Sequence, residues 1–119
     1  MWLALDPIDE ENGALRYVPK SHHDGLRPHG QTSVIGFSQG ITDYGSKDKE
    51  VLISLKPGDL VCHHGETIHR ANTNRSTTCS RRAFSLAYQG VSCQRDNEAY
   101  ENYMSYLQAQ HAVAGISKP

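Results

Sequence analysis

The stretch that decides the fold runs from Gly58 to Tyr88 and reads GDLVCHHGETIHRANTNRSTTCSRRAFSLAY. A Gly-Asp turn opens a short apolar strand, which leads through a second turn to His69. An Asn-rich turn at residues 72–74 follows, and the next strand opens with Arg81 and Arg82. Short strands separated by turns, without alternating helices, are typical of an antiparallel sandwich or jelly roll.

On a β-barrel, this order of strands can place one imidazole and one guanidinium side by side. An imidazole is a good ligand for a transition metal such as iron. A guanidinium presents a rigid fork of donors that matches a carboxylate. Strand alternation puts His69 on the same face as Thr67 and Ala71. A metal next to a bound carboxylate suggests iron and 2-oxoglutarate.

Two further motifs precede this stretch. The first reads WLALD at Trp2–Asp6, followed by ENGAL at Glu11–Leu15. The second reads VPKSH at Val18–His22. Together with Gly58–Tyr88, and in this order, they resemble the C-terminal portion of the phytanoyl-CoA dioxygenase (PhyH-like) family of Fe(II)/2-oxoglutarate-dependent oxygenases. The family motifs are W-x-A-L-D with N-G-x-L, then V-P-G-S-H, then G-D…H…H…N-x-S…R-x-A…Y.

The resemblance implies a mainly β fold, a double-stranded β-helix of the jelly-roll or cupin-like type, present as a partial barrel with a C-terminal α-helix. It implies Fe(II) as the metal, 2-oxoglutarate as the co-substrate and hydroxylation of a small-molecule substrate. Two positions depart from the family pattern. Lys20 stands where the family has glycine, and Ala71 stands where many members have a serine near the co-substrate.

The resemblance also gives roles to individual residues. His69 occupies the position of the last iron ligand. Arg81 matches the arginine of R-x-A, which implies that it binds the distal carboxylate of 2-oxoglutarate. Arg82 competes for that role, and would otherwise point out of the sheet. Trp2 matches a tryptophan that lies against the co-substrate, although an ordinary core anchor explains it equally well.

The family's first two iron ligands lie on a His-x-Asp motif ahead of the strand that begins at Trp2. We therefore expect a fragment that is inactive by itself, with such a motif encoded upstream; the upstream DNA and a succinate assay check this. One alternative is a cupin-like metal protein that uses the local His22, Asp24 and His69. The other is a non-catalytic binding module on the same scaffold.

Length and composition favour one globular domain over residues 1–119. The formal net charge of −1 gives no general affinity for nucleic acid or anionic membranes, and no apolar run reaches membrane-spanning length. Three cysteines without C-x-x-C spacing favour a reducing, cytoplasmic location. The expected partner is a small-molecule substrate. Unpaired strand edges also predict self-association, which light scattering over a range of concentrations would detect.

Alternation of apolar residues and Pro/Gly turns predict six strands and one helix. Residues 22–49 are predicted to form a long polar loop with glycines at 25, 30, 36, 40 and 45, interpreted as a rim or lid beside the pocket. His63 is expected to be exposed, whereas His64 and Asn74 are expected to shape turns. The predicted strands are Trp2–Leu5, Ala14–Val18, Val51–Leu55, Leu60–His64, Thr67–Ala71 and Arg82–Gln89, and the helix spans 98–113.

Overall fold

The computed structural model describes residues 1–34 and 37–116. Gly36, one of the glycines of the predicted polar loop, lies outside these ranges. The chain divides into two compact units. The first contains residues 1–26 and 45–89, and the second contains residues 27–44 and the chain from Gly90 onward.

The described residues form antiparallel β-strands followed by one C-terminal α-helix, so the prediction of a mainly β fold is confirmed at this level. Each predicted strand is present but is shorter than expected. The strands are β1 (Trp2–Ala4), β2 (Leu15–Tyr17), β3 (His29–Gln31), β4 (Gln39–Ile41), β5 (Val51–Ile53), β6 (Leu60–Val61), β7 (His69–Ala71) and β8 (Ala83–Ser85).

The first unit contains two three-stranded antiparallel sheets. In one sheet β1 lies between β6 and β8, with Trp2 opposite both Val61 and Ser85. In the other, β2 lies between β5 and β7, with Tyr17 opposite both Val51 and His69. Both central strands therefore come from the first 17 residues of the chain.

The core of the first unit is built from small and branched apolar side chains. Ala4, Ile8 and Ala14 are almost fully buried and form one cluster, with three partly buried residues packed against it. Ile8 and Leu55 exchange two backbone hydrogen bonds of 2.8 and 2.9 Å, which extend the strand contacts beyond the sheets. The packed residues are Trp2, Leu52 and Leu55.

The prediction of an irregular loop over residues 22–49 is wrong in part, because the segment contains the β3–β4 hairpin. Gly30 lies opposite Gly40 in this hairpin. A side chain at Gly30 would come 2.7 Å from the Thr42 methyl, and one at Gly40 would come 3.0 Å from the Thr32 methyl. The glycines that suggested a loop therefore allow two strands to approach each other. The segment begins with a 3₁₀ helix at Ser21–Asp24.

The predicted helix is confirmed and spans Asn97–Ala114, labelled α1. Its N-terminus is capped by the Asp96 carboxylate, which accepts from the Ala99 N–H at 3.0 Å. Gly115 follows α1 in the left-handed conformation that is common after a helix. Within the second unit, the buried amide of Gln110 donates to the Val34 carbonyl at 2.9 Å. In the described parts of the chain, no helix has the length and apolar character needed to span a bilayer.

Three glycines allow the cost of a left-handed backbone to be separated from the cost of a steric clash. Gly13 has φ +88°, and a methyl group there would overlap the Asn72 carbonyl oxygen. We expect Gly13→Ala to lower the free energy of unfolding by roughly 3 kcal/mol or more. Urea denaturation followed by circular dichroism measures this change.

Gly58 and Gly45 serve as matched controls for this prediction. Gly58 has φ +93° but open space around it, so Gly58→Ala should cost only about 1–2 kcal/mol. Gly45 has neither constraint, and Gly45→Ala should change stability by about 0.5 kcal/mol or less. Equal losses at Gly13 and Gly58 would show that the contact with Asn72 does not constrain the fold.

Candidate active site

His69 is the first residue of β7 and lies opposite Tyr17 of β2. Its Nδ1 atom is 2.8 Å from the Thr67 carbonyl oxygen. Because a carbonyl oxygen only accepts, Nδ1 carries the proton and Nε2 keeps its lone pair. The side chain is exposed, so this lone pair is accessible to an incoming ion. A backbone carbonyl on the second nitrogen is the usual support of a metal-binding histidine.

A second imidazole lies beside that of His69. The ring of His63 is 4.7 Å from the His69 ring, and its Nδ1 is 3.0 Å from the hydroxyl of the buried Tyr17. The Tyr17 ring is also stacked on His69, at 5.7 Å and an interplanar angle of 28°. The expectation that His63 is exposed is therefore wrong, because the Tyr17 hydroxyl holds it in a half-buried position.

The electrostatics of this group follow from its burial. Burial lowers the pKa of His63, and the neighbouring His69 and the N-terminal ammonium lower it further. Burial also raises the pKa of Tyr17, so the phenol keeps its proton at neutral pH. The lowered pKa favours the neutral ring of His63, and the tautomer of that ring decides whether Nδ1 donates to or accepts from the Tyr17 hydroxyl.

The alternative triad of His22, Asp24 and His69 is wrong for this structure. His22 and Asp24 belong to the 3₁₀ helix, and the His22 ring lies 4.0 Å from His23 and 5.6 Å from His64. Within residues 1–34 and 37–116, no three or more His, Cys, Asp or Glu side chains are placed to hold a metal ion together.

His64 and Asn74 form hydrogen bonds within turns, as the sequence predicts. His64 Nδ1 accepts from the Glu66 N–H at 3.3 Å, and its carbonyl accepts from the Thr67 N–H at 3.0 Å. The Asn74 side chain accepts from the Ser76 N–H and donates to the Cys79 carbonyl, both at 2.8 Å. These bonds shape the turns on either side of β7.

Arg81 and Arg82 have different surroundings although they are adjacent. Arg82 donates from its backbone N–H, Nε and Nη2 to the Asp6 carboxylate, which also accepts from the Ser80 hydroxyl at 2.7 Å. These donors hold the pKa of Asp6 well below its usual range, the Arg82 side chain being the largest cause. Arg81 is half-buried, and its side chain forms no hydrogen bond or ion pair with the described residues.

Arg81 lies two residues before β8, the strand that pairs with β1 and its Trp2. Ala4 lies opposite Ala83, and Leu5 donates to the Arg82 carbonyl, so the pairing continues to the start of β8. Because side chains alternate along a strand, Ala83 and Ser85 of β8 lie on the same face as Trp2 of the neighbouring strand. Trp2 also packs against the core cluster, as an anchor residue would.

Asp6, Tyr17 and His63 are the site residues that sequence reasoning missed. In the sequence, Asp6 stands out only as the last residue of the WLALD motif, and Tyr17 only as part of the predicted strand Ala14–Val18. Their roles depend on which residues lie opposite each other in the sheets. The pairing of Tyr17 with His69 would have been found only from the register of β2 against β7.

Comparison with known proteins identifies the family of this chain. The family model described as phytanoyl-CoA dioxygenase (PhyH) matches residues 1–83, and the chain belongs to that family. The chain is 33% identical over 96 residues to the peroxisomal phytanoyl-CoA dioxygenase of Rattus norvegicus, covering 77% of this chain and 28% of the relative. The Arabidopsis thaliana phytanoyl-CoA dioxygenase is 39% identical over 88 residues, covering 72% of this chain and 30% of the relative.

A third relative, the probable phytanoyl-CoA dioxygenase of Caenorhabditis elegans, is 34% identical over 91 residues, covering 73% of this chain and 29% of the relative. The chain thus spans less than a third of the length of these relatives. No solved structure matches the chain. Family membership supports a dioxygenase.

The ion pair of Asp6 with Arg82 predicts a specific loss of stability in acid. The folded-state pKa of Asp6 lies below its unfolded value of about 3.9, so its contribution is complete above roughly pH 5. That contribution is lost as the pH falls below about 4 toward the folded-state pKa. Asp6→Asn should therefore be less stable than the wild type at pH 7, and the difference should shrink steadily toward pH 3. Urea denaturation at a series of pH values measures this difference.

Glu66→Gln provides the matched control, because Glu66 is an exposed carboxylate in a turn of the same unit. Its stability difference from the wild type should be small at every pH. A difference between Asp6→Asn and the wild type that stays constant from pH 7 to pH 3 would contradict the role of the Asp6 carboxylate.

Proposed function

We propose that this chain belongs to an Fe(II)/2-oxoglutarate-dependent oxygenase that hydroxylates a small-molecule substrate. Membership of the phytanoyl-CoA dioxygenase family supports the reaction class. The observation that carries the proposal is the bond from His69 Nδ1 to the Thr67 carbonyl, because it leaves Nε2 as a fixed lone-pair donor.

The donor chemistry of this site fits Fe(II). Imidazole nitrogen is a common ligand in non-haem Fe(II) oxygenases, where two histidines and one carboxylate leave open positions on the metal. We assign His69 as one ligand of such a set. When bound, iron and 2-oxoglutarate supply the oxidising chemistry with molecular oxygen, while the protein supplies binding, orientation and electrostatics.

Arg81 is proposed to bind the distal carboxylate of 2-oxoglutarate. A guanidinium can donate two parallel hydrogen bonds to a carboxylate, which fixes the direction of the bound acid. Arg82 is less suited to this role, because its Nε and Nη2 atoms already donate to Asp6. Trp2, opposite Ser85 of β8, is proposed to lie against the bound co-substrate on the same face as Arg81.

We further propose that the two three-stranded sheets are parts of the two walls of a jelly roll. In such a fold, each strand presents alternate side chains to the interior. Arg81, two residues before β8, and His69, on β7, then adjoin different sheets, as a site between two walls requires.

The proposal is tested by comparing 2-oxoglutarate with 2-oxobutyrate, which lacks the distal carboxylate. Trp2 is the only tryptophan, so its fluorescence reports binding next to it. With Mn(II) in excess, the wild type should bind 2-oxoglutarate more tightly than 2-oxobutyrate by about 10-fold or more, since a charge-assisted hydrogen bond contributes about 1.5–3 kcal/mol. Arg81→Gln should remove this preference, and Arg82→Gln should keep it.

His69→Ala completes the test, because it should abolish the dependence of 2-oxoglutarate binding on Mn(II). Loss of the preference in Arg82→Gln instead of Arg81→Gln would reverse the assignment of the two arginines. Equal binding of the two acids by the wild type would contradict the role of Arg81, and binding that does not depend on Mn(II) would favour a non-catalytic binding module.

A further inference from the structure

We infer that Asp6 is a positioning residue, which orients Arg81 for the distal carboxylate of 2-oxoglutarate by holding the residues on either side of it. The inference rests on the proposed function and deepens it, because it identifies what holds the co-substrate arginine in place. Asp6 ends the WLALD motif and is not itself proposed to touch the metal or the co-substrate. The observation that carries the inference is the set of hydrogen bonds that meet at its buried carboxylate.

The Asp6 carboxylate contacts both sequence neighbours of Arg81. It accepts from the Ser80 hydroxyl and from the Arg82 backbone N–H, each at 2.7 Å. Asp6 is only 7% exposed, so water competes little for these two bonds. Hydrogen bonds to a charged acceptor are roughly twice as strong as those between neutral groups. The residues before and after Arg81 are therefore fixed to the same buried carboxylate.

Two further hydrogen bonds hold the backbone of this segment. The buried side-chain amide of Asn12 donates to the Ser80 carbonyl at 3.3 Å, and the Leu5 N–H donates to the Arg82 carbonyl at 3.0 Å. Asn12 is itself fixed, because its amide also donates to the Pro7 carbonyl at 2.7 Å. The position of the segment is therefore determined by β1 and by the turn that follows it.

The ion pair between Asp6 and the Arg82 side chain is the less important part of this arrangement. That side chain is 73% exposed, and exposed ion pairs are weakened by water and salt. The bonds from the Ser80 hydroxyl and the Arg82 N–H require an acceptor oxygen but no negative charge. The inference therefore predicts that an amide at position 6 can position Arg81, whereas a methyl group cannot.

The orientation of Arg81 matters because a guanidinium makes two parallel bonds to a carboxylate only in one geometry. Without the flanking bonds, 2-oxoglutarate would have to order this backbone each time it binds, and ordering a residue reduces the affinity. The reduction would fall on 2-oxoglutarate alone, since 2-oxobutyrate has no distal carboxylate to bind the arginine.

The experiment measures the preference of the full 119-residue chain for 2-oxoglutarate over 2-oxobutyrate, with Mn(II) in excess and Trp2 fluorescence as the signal. Asp6→Ala should lower this preference by about 3-fold or more, because both flanking bonds are lost. Asp6→Asn should keep the preference, since its amide oxygen can still accept from the Ser80 hydroxyl and the Arg82 N–H. The affinity for 2-oxobutyrate should be unchanged in both variants.

Gly58→Ala is the matched control for lost stability, because Gly58 lies in the same unit and has a left-handed backbone that alanine strains. It should lower the free energy of unfolding and keep the full preference. Circular dichroism verifies that each variant is folded. If Asp6→Ala is unfolded, Ser80→Ala takes its place, and the loss of one flanking bond should lower the preference by about 2-fold or more.

The outcomes separate this inference from the proposed function. Loss of the preference in Asp6→Ala, with the preference kept in Asp6→Asn and Gly58→Ala, supports the inference. Full preference in Asp6→Ala, or in Ser80→Ala where that variant replaces it, overturns the inference and leaves the role of Arg81 intact. Equal losses in Asp6→Ala and in either Asp6→Asn or Gly58→Ala also overturn it, because charge or stability then explains the effect. A wild type without any preference contradicts the proposed role of Arg81 itself.

Discussion

Both sheets of the first unit depend on central strands that come from the first 17 residues. β1 pairs with β6 and β8, and β2 pairs with β5 and β7. Residues that are distant in sequence are therefore brought together by pairing with these two short central strands. Each central strand has an antiparallel partner on both sides. A slip of its pairing register by one residue would turn its side chains to the opposite face of the sheet. The register of β2 fixes His69 beside Tyr17, and the register of β1 fixes Trp2 opposite Ser85.

Arg81 and Arg82 are adjacent but differ in their contacts, because the pairing of β1 with β8 brings Asp6 to Arg82. Arg82 is tied to Asp6 at the end of β1, although its side chain is 73% exposed. The same carboxylate accepts from the Ser80 hydroxyl, and the buried Asn12 amide donates to the Ser80 carbonyl at 3.3 Å. Hydrogen bonds of Ser80 and Arg82 therefore hold the backbone on either side of Arg81.

The type and order of the secondary-structure elements can be predicted from the sequence more fully than the contacts between them. Proline and glycine turns, together with alternating apolar residues, predict each strand of the first unit and the C-terminal helix, because these signals act locally. The hairpin at β3 and β4 was missed, since its paired glycines were read as loop residues. The family motifs indicate His69 and Arg81. The contacts of Tyr17, His63 and Asp6 depend on pairing between residues 46–76 positions apart, which no local pattern encodes.

The central claim is that His69 binds a metal and that Arg81 binds the co-substrate next to it. The most direct measurement is a crystal structure of the chain with Mn(II) and 2-oxoglutarate, recorded with anomalous scattering from manganese. The account predicts an anomalous peak at bonding distance, about 2.2 Å, from His69 Nε2, with the distal carboxylate on the Arg81 guanidinium. A peak beside His22, His23 and His64, or a carboxylate bound by Arg82 in place of Asp6, would contradict it.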